Sequence, residues 1–410
     1  MVLKTRKFIF YIVFIIIFNF ILLDVYAKIL KSSSPAIGLF IAILFFIFIL
    51  FALSRYFYLS INTKYFFIVL ILIIFICLHF FIATLIFKNI NLYKFSFSLF
   101  FLFVILIISG FFVIFFVKIK KKYLDKIMEI VFWILAIIGF LSIILIRLKI
   151  AKYFSSDPKF MIFFSEPSHY VLTFLPFLFY NIYVHKNKFL YLFISFLIAL
   201  SVRNATLIVG TFLIIFTFYS FKKTIAIMFI LILFFLFLDS IENFKLSHYF
   251  FSRIMLNSNN ISVLVFLSGW NRAFLSLLES YGWGLGFQQF GFVGHVGYYQ
   301  HLLSAISPAL SKLNLYDGGT IGSKFIAEFG IFGIIMLIIY LKIWIGYLLK
   351  LRRYNINSNI ELFFISFYFM YIIDIFIRGM NYFDFPTFML LSSIYFLLYK
   401  NFNYKKSTSE

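Results

Sequence analysis

The side chains of this 410-residue chain best suited to chemistry stand at the ends of apolar runs, and four of them are arginines: Arg147, Arg203, Arg272 and Arg378. A guanidinium is a permanently charged fork that matches two phosphate oxygens at once, so several converging on one crevice would hold a diphosphate without a metal. Taken singly, each could equally snorkel to lipid headgroups or mark a helix end. Arg203 lies in SVRNAT between two short apolar runs, and Arg378 follows Asp374 at the i,i+4 spacing of a helical ion pair. The segment FFSEPSHY supplies Glu166 and His169 just before another apolar run. Pro167 suits a first helical turn, with Ser165 as its cap. A carboxylate at the mouth of an apolar cavity is a candidate general base, because desolvation raises its pKa towards neutrality. Its other reading is that it complements the helix N-terminus.

A second set of residues clusters later. Gly282, Gly284 and Gly286 alternate in GWGLGF, without the spacing or preceding strand of a dinucleotide site, so they mark a tight turn or a close backbone approach. His295 and His301 follow among Tyr298, Tyr299 and Gln300. Two histidines six apart are poor metal ligands, and no metal site or cofactor is expected. Aromatic and amide groups beside a glycine turn suit sugar stacking, and equally an interfacial belt. Residues 270–281 read as an amphipathic helix carrying Arg272 and Glu279, and Lys324 and Glu328 as an i,i+4 pair at a solvated helix mouth.

These residues must be positioned by membrane helices. With 64% hydrophobic residues, 67 Phe and a mean hydropathy of +1.07, the chain cannot hide its apolar surface except in lipid, which excludes a soluble protein. The fold class expected is an all-α, polytopic transmembrane bundle. The net charge of +22 punctuates helix ends rather than forming one basic face, so the partners it implies are membrane lipids and not nucleic acid. The single cysteine, Cys77, allows no internal disulfide. Lys4, Arg6 and Lys7 before the run 8–23 resemble a signal peptide, with 25–27 as a cleavage site; the length of the run and the many that follow favour an uncleaved first span.

Apolar runs give about twelve spans, at 8–23, 36–54, 65–87, 95–117, 127–147, 167–184, 189–201, 204–220, 224–238, 320–349, 360–378 and 384–400. The chain divides into an N-terminal bundle of about nine spans (1–238), one long polar connection (239–319) and a C-terminal part (320–410). Lysine and arginine favour the side that holds both termini, which places the long connection outside.

One large late loop, an SGWNR element, the GWGLGF turn and a helix opening GSKFIAEFGIFGII together resemble the O-antigen polymerase and ligase superfamily, most of all its Wzy-type polymerases. FFSEPSHYVLTFLP is similar to a segment those polymerases carry, and the specific motifs cover 163–176 and 268–335. The resemblance implies a GT-C-like architecture and a metal-independent glycosyltransferase without cofactor. Such an enzyme transfers a growing glycan from an undecaprenyl-diphosphate carrier to the next lipid-linked repeat unit, at the outer face of the bacterial cytoplasmic membrane. Donor and acceptor are both lipid-linked oligosaccharides; a chain-length regulator and a flippase are the expected protein partners. The family's diphosphate-binding arginines correspond best to Arg272, then Arg203, with Arg378, Arg147, His169, His295, Gly284 and Gly286 as further substrate-binding positions and Glu166 and His301 as base candidates. In the ligase branch a functional histidine precedes Asn; neither His295-Val296 nor His301-Leu302 keeps that pair, which favours the polymerase over a ligase acting on lipid A-core. The rival from another class is a flippase for lipid-linked sugars, but charges are sparse at the helix centres and a flippase has no need of the long loop.

Overall fold

Helices form where apolar runs are long, and polar residues at the run ends terminate them. The computed structural model describes residues 2–32, 34–53, 61–150, 161–220, 222–226, 229, 252–253, 260–353, 356 and 358–407. Side chains of Asn62, Asn91, Asn204, Asn260, Thr320 and Ser358 each accept a hydrogen bond from a backbone N–H in the first turn they precede. They satisfy donors that hydrocarbon would leave bare.

In chain order the helices are α1 (Val2–Ile21), α2 (Leu23–Ile29), α3 (Pro35–Leu53), α4 (Thr63–Ile86), α5 (Leu92–Val117), α6 (Lys121–Arg147), α7 (Pro167–Val184), α8 (Lys188–Val202), α9 (Ala205–Phe218), α10 (Ile261–Glu279), α11 (Tyr298–Ile306), α12 (Ile321–Arg352), α13 (Asn359–Met370), α14 (Ile372–Phe376) and α15 (Phe385–Ser407). Seven are long and apolar enough to cross a membrane, counting α13 and α14 as one, or eight if α1 and α2, bent by 60°, form one broken span. The chain is therefore a helical membrane protein, with fewer such helices among the described residues than the twelve runs. The runs at 189–201 and 204–220 become the short hairpin α8–α9, and most of the run 224–238 lies outside the described residues. The polar connection is less open than its composition implies. Residues 270–279 are the end of a longer helix, α10, that is itself long and apolar enough to cross a membrane, and residues 280–281 form the turn after it. Gly269 lets α10 press against the 318–323 segment, because a Cβ there would lie 1.8 Å from the Gly318 carbonyl oxygen.

The core centres on α7 and α13, buried nearly all round, with α6, α8, α9 and α15 packed about them. Rings interlock across this centre, as Phe177 does with Phe367 (centroids 5.5 Å apart) and Phe179 with Phe369 (5.3 Å). Large apolar side chains such as Phe48, Phe67, Ile71, Phe81 and Ile338 face outwards, as a lipid-facing surface requires. Polar contacts gather at two ends. At one, Tyr180 and Asn359 both donate to Asp125, Lys400 pairs with Glu361 at 2.8 Å, and Arg352 donates to the Phe216 carbonyl. At the other lie Asp24, Lys28, Glu166, Arg378 and the 282–319 segment.

That second end is fixed by a break in α12. Gly330 has φ 58 and ψ −132, which interrupts the helical ladder. The glycine turn fills the gap: Leu285 and Gly286 N–H donate to the Ala327 and Glu328 carbonyls (2.9 Å each), and Ile331 N–H donates to the Gly282 carbonyl (2.8 Å). Trp283 stacks on His79 of α4 with centroids 5.0 Å apart, its Nε1 donating to the His79 carbonyl. Gly284 has φ +99, and a Cβ there would stand 2.5 Å from the Glu328 carbonyl oxygen. Gly284→Ala should therefore destabilise the protein by about 3 kcal/mol, from backbone strain and overpacking together. Gly346, with no atom within 4 Å of its notional Cβ, is the control: Gly346→Ala should be neutral or stabilising by up to about 1 kcal/mol. Thermal unfolding of the two detergent-solubilised variants checks the contrast.

Candidate functional site

Glu166 ends the irregular stretch before α7 in extended conformation, with Pro167 as the first helical residue. Its side chain makes no capping bond to the helix and turns away instead. Oε2 accepts from Arg378 Nη2 at 2.8 Å and from Ser168 Oγ at 2.9 Å. Arg378 is free to reach it because α14 ends at Phe376, so Arg378 lies beyond the helix. The i,i+4 pair with Asp374 is accordingly not formed; Asp374 is buried, with Oδ1 lacking a hydrogen-bond partner.

One turn into α7, His169 Nδ1 lies 2.6 Å from Ser165 Oγ and 3.1 Å from Asp24 Oδ2. Asp24 is 5% exposed and also accepts from Ser165 N–H (2.7 Å) and Ser165 Oγ (2.9 Å). Lys28, one turn further along α2, donates to the Phe164 carbonyl at 2.9 Å. The 60° bend before α2 thus brings two charges onto the 164–169 segment. Sequence reasoning missed Asp24; the available signal was a carboxylate closing an otherwise apolar run, where charges are costly unless paired.

Two clefts share the Glu166–Arg378 pair as a common wall. The first, of about 390 Å³, adds Arg203, Arg253, Asn204 and Thr206, with apolar flanks at Val209 and Phe266. Arg203 enters it from the α8–α9 turn, where it adopts a left-handed φ of 53. The second, of about 510 Å³, is polar and aromatic: Lys94, His169, Gln288, Tyr316, Lys324 and Asn381 line it with the 166–378 pair. Both volumes fall in the range of small-molecule sites. Burial pushes the Glu166 carboxyl up, but Arg378, His169 and Ser168 outweigh it and hold the group below its ordinary value. The neutral-pH base expected from desolvation alone is therefore not what this environment makes; Glu166 stays ionised.

Other expected residues lie elsewhere. Arg272 lines neither cleft: it is 3% exposed, donates to the Leu315 carbonyl (2.8 Å) and the Val293 carbonyl (3.4 Å), and stacks on Phe290 at 4.4 Å. It pins the glycine-rich segment to α10. Arg147 ends α6 exposed, and His301 is exposed on α11, and neither lines either of these two clefts. His295 is exposed and bonds Glu279 through Nδ1 at 2.8 Å. Gly284 and Gly286 serve the α12 break rather than a cavity, Gly286 meeting Ala83 and Phe80. Lys324 and Glu328 are not at a solvated mouth: both are buried, Lys324 donating to the Tyr316 carbonyl (2.9 Å) and Glu328 accepting from Phe290 N–H (3.2 Å). Their burial follows from the segment folding over the start of α12. Arg253, which carried no sequence signal beyond its charge, does line the first cleft. Among the described residues no group of three or more His, Cys, Asp or Glu could hold a metal ion.

Because the folded carboxyl titrates below its ordinary value of 4.5, the Glu166–Arg378 pair stabilises the fold above that pH, and the contribution is lost as the pH falls through the folded value. Glu166→Gln should lower the thermal midpoint at pH 7, and the difference from wild type should narrow as the pH falls below 4.5 and the wild-type carboxyl is protonated to a neutral group. Melting curves of both proteins across that range measure it. Among known proteins, no family model matches the chain, no curated protein matches it, and no solved structure matches its fold.

Proposed function

We propose that the protein polymerises lipid-linked oligosaccharide repeat units, joining a glycan on a polyprenyl diphosphate to an acceptor unit at the outer face of a bacterial cytoplasmic membrane. The observation that carries this reading is the pair of clefts divided by Glu166 and Arg378: a reaction between two large, similar substrates needs two sites that meet at one wall. In the first cleft Arg203, Arg253 and Arg378 supply three guanidiniums for the donor diphosphate. Three cations lining one cleft would stabilise the leaving diphosphate as charge builds on it. The second cleft, with amide, carboxylate and aromatic groups beside Lys94 and Lys324, has the chemistry of a sugar site next to an anion.

An apolar crevice of about 230 Å³ adjoins the second cleft through sequence neighbours, with Phe287 beside Gln288, Phe325 beside Lys324 and Tyr382 beside Asn381. Leu102, Leu337 and Leu390 continue it between α5, α12 and α15, a course suited to the isoprenoid chain of the acceptor. The end holding the clefts is the outer one in this reading, and Lys126, Lys350 and Lys400 sit at the opposite, cytoplasmic end.

Deleting the gene and scoring the surface glycan separates the classes. Single repeat units displayed outside mean a polymerase; full chains retained on the carrier mean a ligase; units held on the inner leaflet mean a flippase. Complementation then tests the site: Arg203→Ala should reach normal membrane levels yet lower chain extension by about 100-fold. Arg272→Ala should instead deplete the protein, because two carbonyls lose a buried donor. Long chains at wild-type yield from Arg203→Ala would remove the first cleft from the reaction.

A further inference from the structure

Resting on the polymerase reading, we propose that His169, turned by Asp24 and Ser165, takes the proton from the acceptor hydroxyl, and that Glu166 positions Arg378 rather than acting as the base. The hydrogen-bond network fixes the imidazole. Ser165 Oγ donates to Asp24 Oδ2 at 2.9 Å, so its proton is engaged and it accepts from His169 Nδ1 at 2.6 Å. The other partner of Nδ1, the Asp24 carboxylate at 3.1 Å, is an acceptor as well. With two acceptors facing it, Nδ1 carries the proton, and in the neutral ring Nε2 then holds the lone pair, a tautomer assigned from the network. His169 lines the second cleft and not the first, so the ligand it can meet is the one on the acceptor side of the wall.

The alternative bases are less well placed. Glu166 Oε2 is already held by Arg378 and Ser168, and a carboxylate kept below its ordinary value takes protons poorly at neutral pH. His301 lies outside both clefts. The charges around His169 come from every side: Asp24 and Lys28 on α2, Glu166 before α7, and buried Asp384 before α15. Arg378, Lys94, Asp317 and Lys324 line the rest of the cleft. The carboxylates at 24, 166 and 384 each interact electrostatically with His169.

In the reaction, the acceptor hydroxyl oxygen bonds to the donor's anomeric carbon while the bond from that carbon to the diphosphate oxygen breaks. The diphosphate leaves with the electron pair and its charge is met by Arg203 and Arg378. The hydroxyl proton passes to Nε2 of His169 and is released to water with the product. Asp24 and Ser165 are positioning residues: they hold the ring in the accepting tautomer.

The test uses the full chain in proteoliposomes, with lipid-linked repeat units extracted from a strain lacking this gene. The wild-type rate should fall on the acid side, as a histidine base requires. His169→Ala should lower the rate by about 100-fold or more, lose the acid limb, and recover part of the rate with added imidazole. His169→Gln, which keeps a donor towards Asp24, should match its loss without answering to imidazole. Asp24→Asn should slow the reaction by about 10-fold while leaving the acid limb in place. Glu166→Gln should keep the limb at a reduced rate. If His169→Ala retains the limb, or Glu166→Gln abolishes it, the base assignment fails while polymerisation stands. A wild-type chain that elongates nothing overturns the polymerase reading and this assignment together.

Discussion

A backbone amide or carbonyl inside a hydrocarbon bundle has no water to turn to, so any interruption of a helix must be answered by protein. The second polar end of this chain is organised by one such interruption. Gly330 breaks α12 with a φ of 58, and the 282–286 turn supplies the donors and the acceptor that the ladder lost. The turn can approach so closely only because Gly284 faces Gly330 without a side chain on either. From that contact the segment through Gly319 is laid over the helix ends, with Arg272 gripping it from α10 and His79 from α4. Gln288, Tyr316 and Lys324 thereby become one wall of the second cleft.

The electrostatics follow the same economy. Charges are costly in lipid and retained only where they are paired or reach a polar end. Glu166 and Arg378, 212 residues apart and both partly exposed, pair across the bundle and in doing so separate two cavities. Asp24 answers the N–H and hydroxyl of Ser165 and the ring of His169, which fixes that ring's orientation. The strongest cation in sequence terms, Arg272, is buried as a clamp, so its charge is spent on carbonyls rather than on a ligand. A guanidinium has five donors, and which of them remain for a substrate depends on what the fold brings against it.

Composition and periodicity determined the class of this protein: 64% hydrophobic residues in long runs leave a lipid-embedded helical bundle as the only structure that satisfies the backbone. Local patterning also marked Glu166, His169, Arg203 and Arg378 as residues near helix ends, and the alternating glycines as a close backbone approach, because caps, prolines and glycines act within a few residues of themselves. Tertiary structure decided what local pattern cannot carry. Whether Arg378 pairs with Asp374 four residues away or with Glu166 across the bundle depends on where α14 ends. Asp24 joins His169 only through the bend between α1 and α2, and Arg253 meets Arg203 only in the assembled cleft. The pKa of Glu166 likewise follows from partners far apart in the chain: burial alone would raise it, and the neighbours that lower it are set by packing.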